Sequence, residues 1–287
     1  CCARSTTSGR AEPALYVSLC NEVVAELPFA QQCELAAKLG YDGIELAPFT
    51  LGEEPHVLPA AERSKLRRTA ESAGVPIRSL HYLMRAPQGL SITTLDDAQR
   101  RHTVAVMRAL CELAADIGAR VLVHGSPDQR RLDPADEAES RKRGVQSFAD
   151  VAAAAAGSGV TYCIEPLSRD QTAFVNTVAE AVEIVRDIGN PAVATMIDCS
   201  SAARTEKLSV PDLLRQWLPT GHVAHVHFND PNRRGPGDGE LDFAPILETL
   251  RACQYGGNAA IEPFIYEPDG PSCAARAINY IRGLGGK

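Results

Sequence analysis

The sequence has no CxxC pair, no basic excess, no GxGxxG after its first apolar segment and no run of roughly 18 apolar residues. Each absence removes a class of protein. Nine cysteines at positions 1, 2, 20, 33, 111, 163, 199, 253 and 273, none in zinc-knuckle spacing, read as free thiols in a reducing, hence cytoplasmic, compartment. A net charge of −7 argues against a nucleic-acid partner. The lack of a long apolar run argues against a membrane partner. The opening stretch CCARSTTSGRAEPA has no apolar centre and is not a secretory signal; residues 1–14 are expected to be a flexible tail. No Pro/Ser-rich linker divides the remainder of the chain, so 15–287 is read as one domain.

What is present is an alternation of short apolar strands with amphipathic helical stretches, the pattern of parallel β/α units. The expected strands are Leu15–Leu19, Gly43–Leu46, Ile77–Leu80, Val121–Val123, Thr161–Ile164, Val193–Ile197, Val223–Phe228 and Ala259–Ile261. After the fifth, Val178, Ala181, Val182 and Val185 form one apolar stripe, opened by Thr177-Val178-Ala179-Glu180 in capping-box spacing. After the seventh, Phe243, Ile246, Leu247 and Leu250 repeat the stripe. Eight such units predict an α/β fold, a (β/α)8 TIM barrel. The missing GxGxxG removes the commonest reason to prefer an open doubly wound sheet.

Barrel enzymes work at the C-terminal ends of their strands. Here those ends carry Asn21 and Glu22, Glu45, His81, His124, Glu165, Asp198, His225 with His227, and Glu262. A carboxylate ending a buried strand is costly unless it meets positive charge. Glu165, Asp198, His227 and Glu262, on strands five to eight, are expected to converge. Three carboxylates and an imidazole suit one divalent metal ion, the oxygens favouring Mn2+ or Mg2+ and the imidazole keeping Co2+ and Zn2+ open. Plainer roles stand beside this one. Either glutamate alone could pair with an arginine, Asp198 could cap the next helix, and Glu45 could be a strand-end salt-bridge partner. His225 shares a strand face with His227 and is expected to support it. His81 and His124 are either substrate contacts or satisfied core histidines.

The segments IEPLSRDQTAFVNT (164–177), MIDCS (196–200), HVHFNDPNRRGPGDGE (225–240) and IEPF (261–264) resemble the xylose-isomerase-like superfamily. The likeness is to its sugar phosphate isomerase/epimerase group, related to ketose 3-epimerases, and spans nearly all of 15–285. It implies metal binding at Glu165, Asp198, His227 and Glu262, and a substrate-holding role for Arg233. It also implies a sugar-like small-molecule substrate, isomerised or epimerised through an enediolate with Glu165 and Glu262 as the acid/base pair. Ketose epimerases of this group commonly have histidine at the place of Ser201 and glutamate at the place of Gln171, both touching substrate. Those two departures suggest a different sugar or a different reaction. A dehydratase of an inosose- or dehydroshikimate-like substrate shares the first proton abstraction. The apurinic endonucleases of the superfamily need a trinuclear zinc cluster, and Ser201 here replaces one of its expected ligands; a non-catalytic sugar-binding barrel is a further reading, and a homo-oligomer is possible.

Overall fold

The structure is a computed structural model that describes residues 15–285; the expected tail at 1–14 lies outside them. Eight parallel strands close into a barrel in chain order, each pairing with the next and β8 with β1. They are β1 Tyr16–Cys20, β2 Gly43–Leu46, β3 Ile77–Leu80, β4 Val121–His124, β5 Thr161–Ile164, β6 Val193–Asp198, β7 Val223–Phe228 and β8 Asn258–Ile261. The expected strands therefore all form, displaced by at most one residue at an end. At β4 and β6 the cause is the same: His124 and Asp198 are polar, yet each continues a parallel ladder, pairing with Ile164 and His227 respectively.

Helices α1 Phe29–Leu39, α2 Ala60–Ser72, α3 Asp97–Ile117, α4 Glu137–Ser158 and α5 Val178–Ile188 follow the first five strands. Strand β6 is followed by two shorter ones, α6 Cys199–Thr205 and α7 Val210–Trp217, then β7 by α8 Ala244–Ala252 and β8 by α9 Gly270–Gly285. The main apolar core lies between the strands and this helical ring, where Val178, Ala181, Val182 and Val185 of α5 are all buried. No helix among the described residues is long and apolar enough to cross a membrane. The described cysteines are unbridged.

The inside of the barrel is divided. Val123, Cys163, Ala194 and Met196 make a small apolar cluster on the β4–β6 side. Toward β7, β8, β1, β2 and β3 the buried residues are instead polar: Ser18, Glu45, Ser79, His81, His225 and His227 are each fully buried. Barrel interiors are ordinarily filled with branched apolar side chains, so this half is specialised for something other than packing.

The start of α5 departs from the expected capping box in one respect. Thr177 Oγ1 accepts from the Glu180 N–H at 3.2 Å, but Glu180 accepts from the N–H groups of Asn176 (2.8 Å) and Val175 (3.3 Å) rather than from that of Thr177. Val175 sits at φ +63°, and Glu180 thereby pins a left-handed residue in the β5–α5 loop. Thr177→Ala is expected to lower unfolding free energy by about 1 kcal/mol, the usual loss of a side-chain N-cap, measured by denaturant titration.

Candidate metal centre and substrate cleft

The four strand-end groups of β5 to β8 come together. His227 Nδ1 lies 3.0 Å from Glu262 Oε2, 3.7 Å from Glu165 Oε1 and 3.8 Å from Asp198 Oδ2. All four offer a ligand atom within 4.8 Å of the others, and all are buried. His227 Nδ1 has no hydrogen-bond partner although it is buried. Three carboxylates gathered around one buried imidazole nitrogen form a donor set suited to a divalent cation. The protonation behaviour agrees. Burial, reinforced by Glu262 and Asp198, pushes the Glu165 carboxyl up to about 8 against the pull of His227. Burial likewise raises Glu262, although His227 opposes it. Positive charge is what these groups lack, and a cation would take the place of the protons they otherwise hold.

Each ligand is fixed by a further contact. Asp198 also caps α6, its Oδ1 accepting from Ser201 N–H at 2.6 Å, so the expected capping role and the cluster role coexist. Asn229 Nδ2 donates to Asp198 Oδ2 at 2.6 Å and lies 3.4 Å from Glu262 Oε2, setting the spacing of the two carboxylates. Among the described residues, no arginine pairs with the carboxylates of Glu165 or Glu262. The buried Arg130 instead donates from Nη2 to the main-chain carbonyl of Glu165 at 2.7 Å. Glu165 Oε2 rests against Gly125, where a Cβ would come within 2.0 Å of it. Gly125 is therefore required by close approach. Sequence reading missed Asn229, Gly125 and Arg130; only Asn229, two residues beyond His227, carried a signal of position.

Glu45 is more than a strand-end ion-pair partner. His227 Nε2 donates to its Oε1 at 2.7 Å, His225 Nε2 lies 2.7 Å from its Oε2, and the Ser79 hydroxyl also donates to Oε2. Burial alone would raise this carboxyl, but His225 and His227 hold it well below the usual carboxylate range. His81 Nε2 sits 3.5 Å from Glu22 and 3.6 Å from the second oxygen of Glu262. Burial disfavours its charge, yet Glu22, Glu262 and Glu45 outweigh that and push it up to about 9. His124 goes elsewhere. Its Nδ1 lies 2.7 Å from the Tyr162 hydroxyl, its ring packs edge-on to Phe148, and burial lowers it to about 3. The ring is fully buried and its Nε2 has no hydrogen-bond partner among the described residues, so it is not the fully satisfied core histidine that was one of its two expected roles.

Above the cluster opens a cleft of about 310 Å3, walled by Glu22, Tyr82, Ser126, Glu165, Gln171, Arg233 and Glu262 among others. Tyr82, Ser126 and Arg233 have φ of +49°, +34° and +68°, three of five such non-glycine residues among those described. Strained backbone thus gathers at the cleft, where function rather than packing has to maintain it. The main-chain carbonyl of Arg233 accepts from the N–H groups of Phe264 (2.9 Å) and Ile265 (3.1 Å), and its guanidinium lies over the Phe264 ring. Ser201 and Gln171, the two departures noted in sequence, meet each other. The Gln171 side-chain oxygen accepts from Ser168 at 2.7 Å and from Ser201 at 3.3 Å, which leaves its amide N–H groups for the cleft it lines.

The profile of the family described as xylose isomerase-like TIM barrel matches residues 33–284. The chain is 29% identical over 244 residues to a D-psicose 3-epimerase of Agrobacterium fabrum, covering 83% of this chain and 80% of that one. It is 24% identical over 255 residues to an L-ribulose-5-phosphate 3-epimerase of Salmonella heidelberg, covering 86% and 87%. A crystal structure of D-psicose 3-epimerase in the presence of D-fructose superposes with a TM-score of 0.80 at 24% identity, over 95% of this chain and all of that one. At that identity the superposition establishes a shared fold.

If the four groups hold one ion, Glu165→Gln and Asp198→Asn should each reduce bound divalent metal substantially below one per chain while leaving the circular dichroism of the barrel intact. Elemental analysis after dialysis against Mn2+ measures this; undiminished metal in both variants rejects the assignment.

Proposed function

We propose that this chain, which belongs to the xylose isomerase-like TIM-barrel family, epimerises or isomerises a small sugar or sugar phosphate by moving a proton at a carbon beside a carbonyl. The observation that carries this reading is the pair Glu165 and Glu262: two buried carboxyl groups, both raised in pKa, lining one cleft and sharing one cluster with Asp198 and His227. The names of the relatives, which are sugar and sugar-phosphate 3-epimerases, support the same reading. A single divalent ion, with Mn2+ favoured by three oxygen donors and one nitrogen, would be held by Glu165, Asp198, His227 and Glu262 and would supply Lewis acidity to the carbonyl and the developing enediolate.

The protein's own groups do the rest. One of Glu165 and Glu262 removes the proton from the carbon and the other returns one. Return to the opposite face of the same carbon inverts it; return to the neighbouring carbon exchanges aldose and ketose. Arg233 and Gln171, projecting donors into the cleft and bearing no catalytic proton, orient the sugar oxygens. The strained backbone of Arg233, braced by Phe264 and Ile265, sets where the guanidinium begins.

Two experiments test this. Arg233→Ala should leave the melting temperature nearly unchanged and lower kcat/KM at least roughly tenfold, a loss of about 1.4 kcal/mol of transition-state binding. An unchanged kcat/KM would reduce Arg233 to a surface residue. Turnover of a ketose and ketose-phosphate panel in D2O with Mn2+ present should place deuterium on a carbon next to the carbonyl, read by NMR or mass spectrometry. Conversion without solvent label would point to a hydride shift, loss of water from the product to a dehydratase, and binding with neither conversion nor exchange to a non-catalytic barrel.

A further inference from the structure

The interior of the barrel contains a carboxylate that touches no cleft and belongs to none of the four ligands. Glu45 stands on β2, and β2 and β7 are not neighbours in the sheet, so its contact with His227 crosses the barrel through its centre. It is fully buried. Its own position is set from three other strands: Ser79 on β3 donates to it, Asn258 on β8 donates to Ser79 Oγ at 3.2 Å, and Ser18 on β1 donates to Asn258 Oδ1 at 2.7 Å. Placing an ionised carboxylate here has a large desolvation cost, and an apolar side chain would fill a barrel centre more cheaply. The arrangement requires a return other than packing.

That return is in the imidazole of His227. An ionised carboxylate can only accept, so the 2.7 Å contact requires the hydrogen on Nε2. A neutral ring has one N–H, and on the other side of this ring Nδ1 lies 3.0 Å from Glu262 Oε2. In the neutral ring that a cation requires, two carboxylates on opposite edges would therefore compete for a single hydrogen. If it moved to Nδ1 it would stand in the middle of the four-ligand cluster, where a cation needs the lone pair. Glu45, with both its oxygens engaged and its position fixed by Ser79, holds the hydrogen on the far edge.

We propose that Glu45 is a positioning residue for the metal centre: it fixes the His227 tautomer and ring orientation so that Nδ1 faces Glu165, Asp198 and Glu262 as a lone pair. The proposal rests on the metal reading given above and adds to it a residue outside the ligand set. It also explains His225. Its Nε2 approaches the second oxygen of Glu45, so His225 supports His227 through the shared carboxylate rather than by contact with the ligands.

The test is a metal titration of the folded protein by competition with a calibrated chelator, using Mn2+ and Zn2+. Glu45→Leu, which removes both acceptor oxygens, should weaken metal binding by about 10–100-fold, the usual loss on removing an outer-shell partner of a ligating histidine. Glu45→Gln keeps the shape and one acceptor oxygen and should fall between Leu and the parent; it carries the test should the leucine variant fail to fold. Nitrogen-15 NMR of the Zn2+-loaded parent should find His227 ligated through Nδ1 with a slowly exchanging hydrogen on Nε2, and that hydrogen should exchange faster in Glu45→Gln. A role in barrel stability alone would move the melting temperature and leave the metal affinity and the Nε2 hydrogen where they were. Parent-like affinity in the folded variants overturns the proposal while leaving the metal centre intact. A parent that binds neither ion overturns both together.

Discussion

Three carboxylates face one imidazole nitrogen across gaps of 3.0 to 3.8 Å, and the rest of the upper barrel is organised around that crowding. Like charges within 4.8 Å of one another in a poorly hydrated site repel strongly, and among the described residues none of the three carboxylates forms an ion pair with a lysine or arginine. The surroundings therefore act in two ways. Some groups hold the carboxylates apart and in place: Asn229 between Asp198 and Glu262, the Ser201 N–H on Asp198, Gly125 beside Glu165. Others, Glu45 above all, keep the imidazole turned toward them. The polar half of the barrel interior is the physical extent of this support, and the apolar half beneath β4 to β6 is ordinary packing.

The fold was legible in the sequence because its signals are local. A parallel strand buried on both faces reads as a short apolar run, and the polar residue that ends it marks the barrel mouth. At β4 and β6 the end moved by one residue because a polar side chain, His124 or Asp198, kept its backbone in the ladder. The convergence of Glu165, Asp198, His227 and Glu262 was legible for the same reason: each stands at or beside the C-terminal end of its strand, and successive strands in a barrel bring their ends together. What could not be read were contacts across the barrel's diameter. Nothing in the spacing of Glu45 and His227, which stand 182 positions apart, announces that they touch. Nor does a glycine such as Gly125 declare that its missing Cβ is space reserved for another residue's carboxylate.

The two sequence departures acquire a common explanation in the structure. Gln171 and Ser201 come from different segments, the loop after β5 and helix α6, yet they share a hydrogen bond at the wall of the cleft. They are one feature of the site rather than two. A hydroxyl and an amide present neutral, adaptable partners to a substrate where a carboxylate and an imidazole would present charge.

Arg233 shows how the cleft and the scaffold are weighed against each other. Its backbone lies in the left-handed region, which glycine or asparagine would occupy with less strain. Its main-chain carbonyl ties the β7 loop to the segment after β8, and its guanidinium lies over the Phe264 ring of that same segment. A substitution there would remove the contact with the Phe264 ring but keep both main-chain hydrogen bonds, so the loop would stay fastened to the segment after β8 whichever side chain faces the cleft.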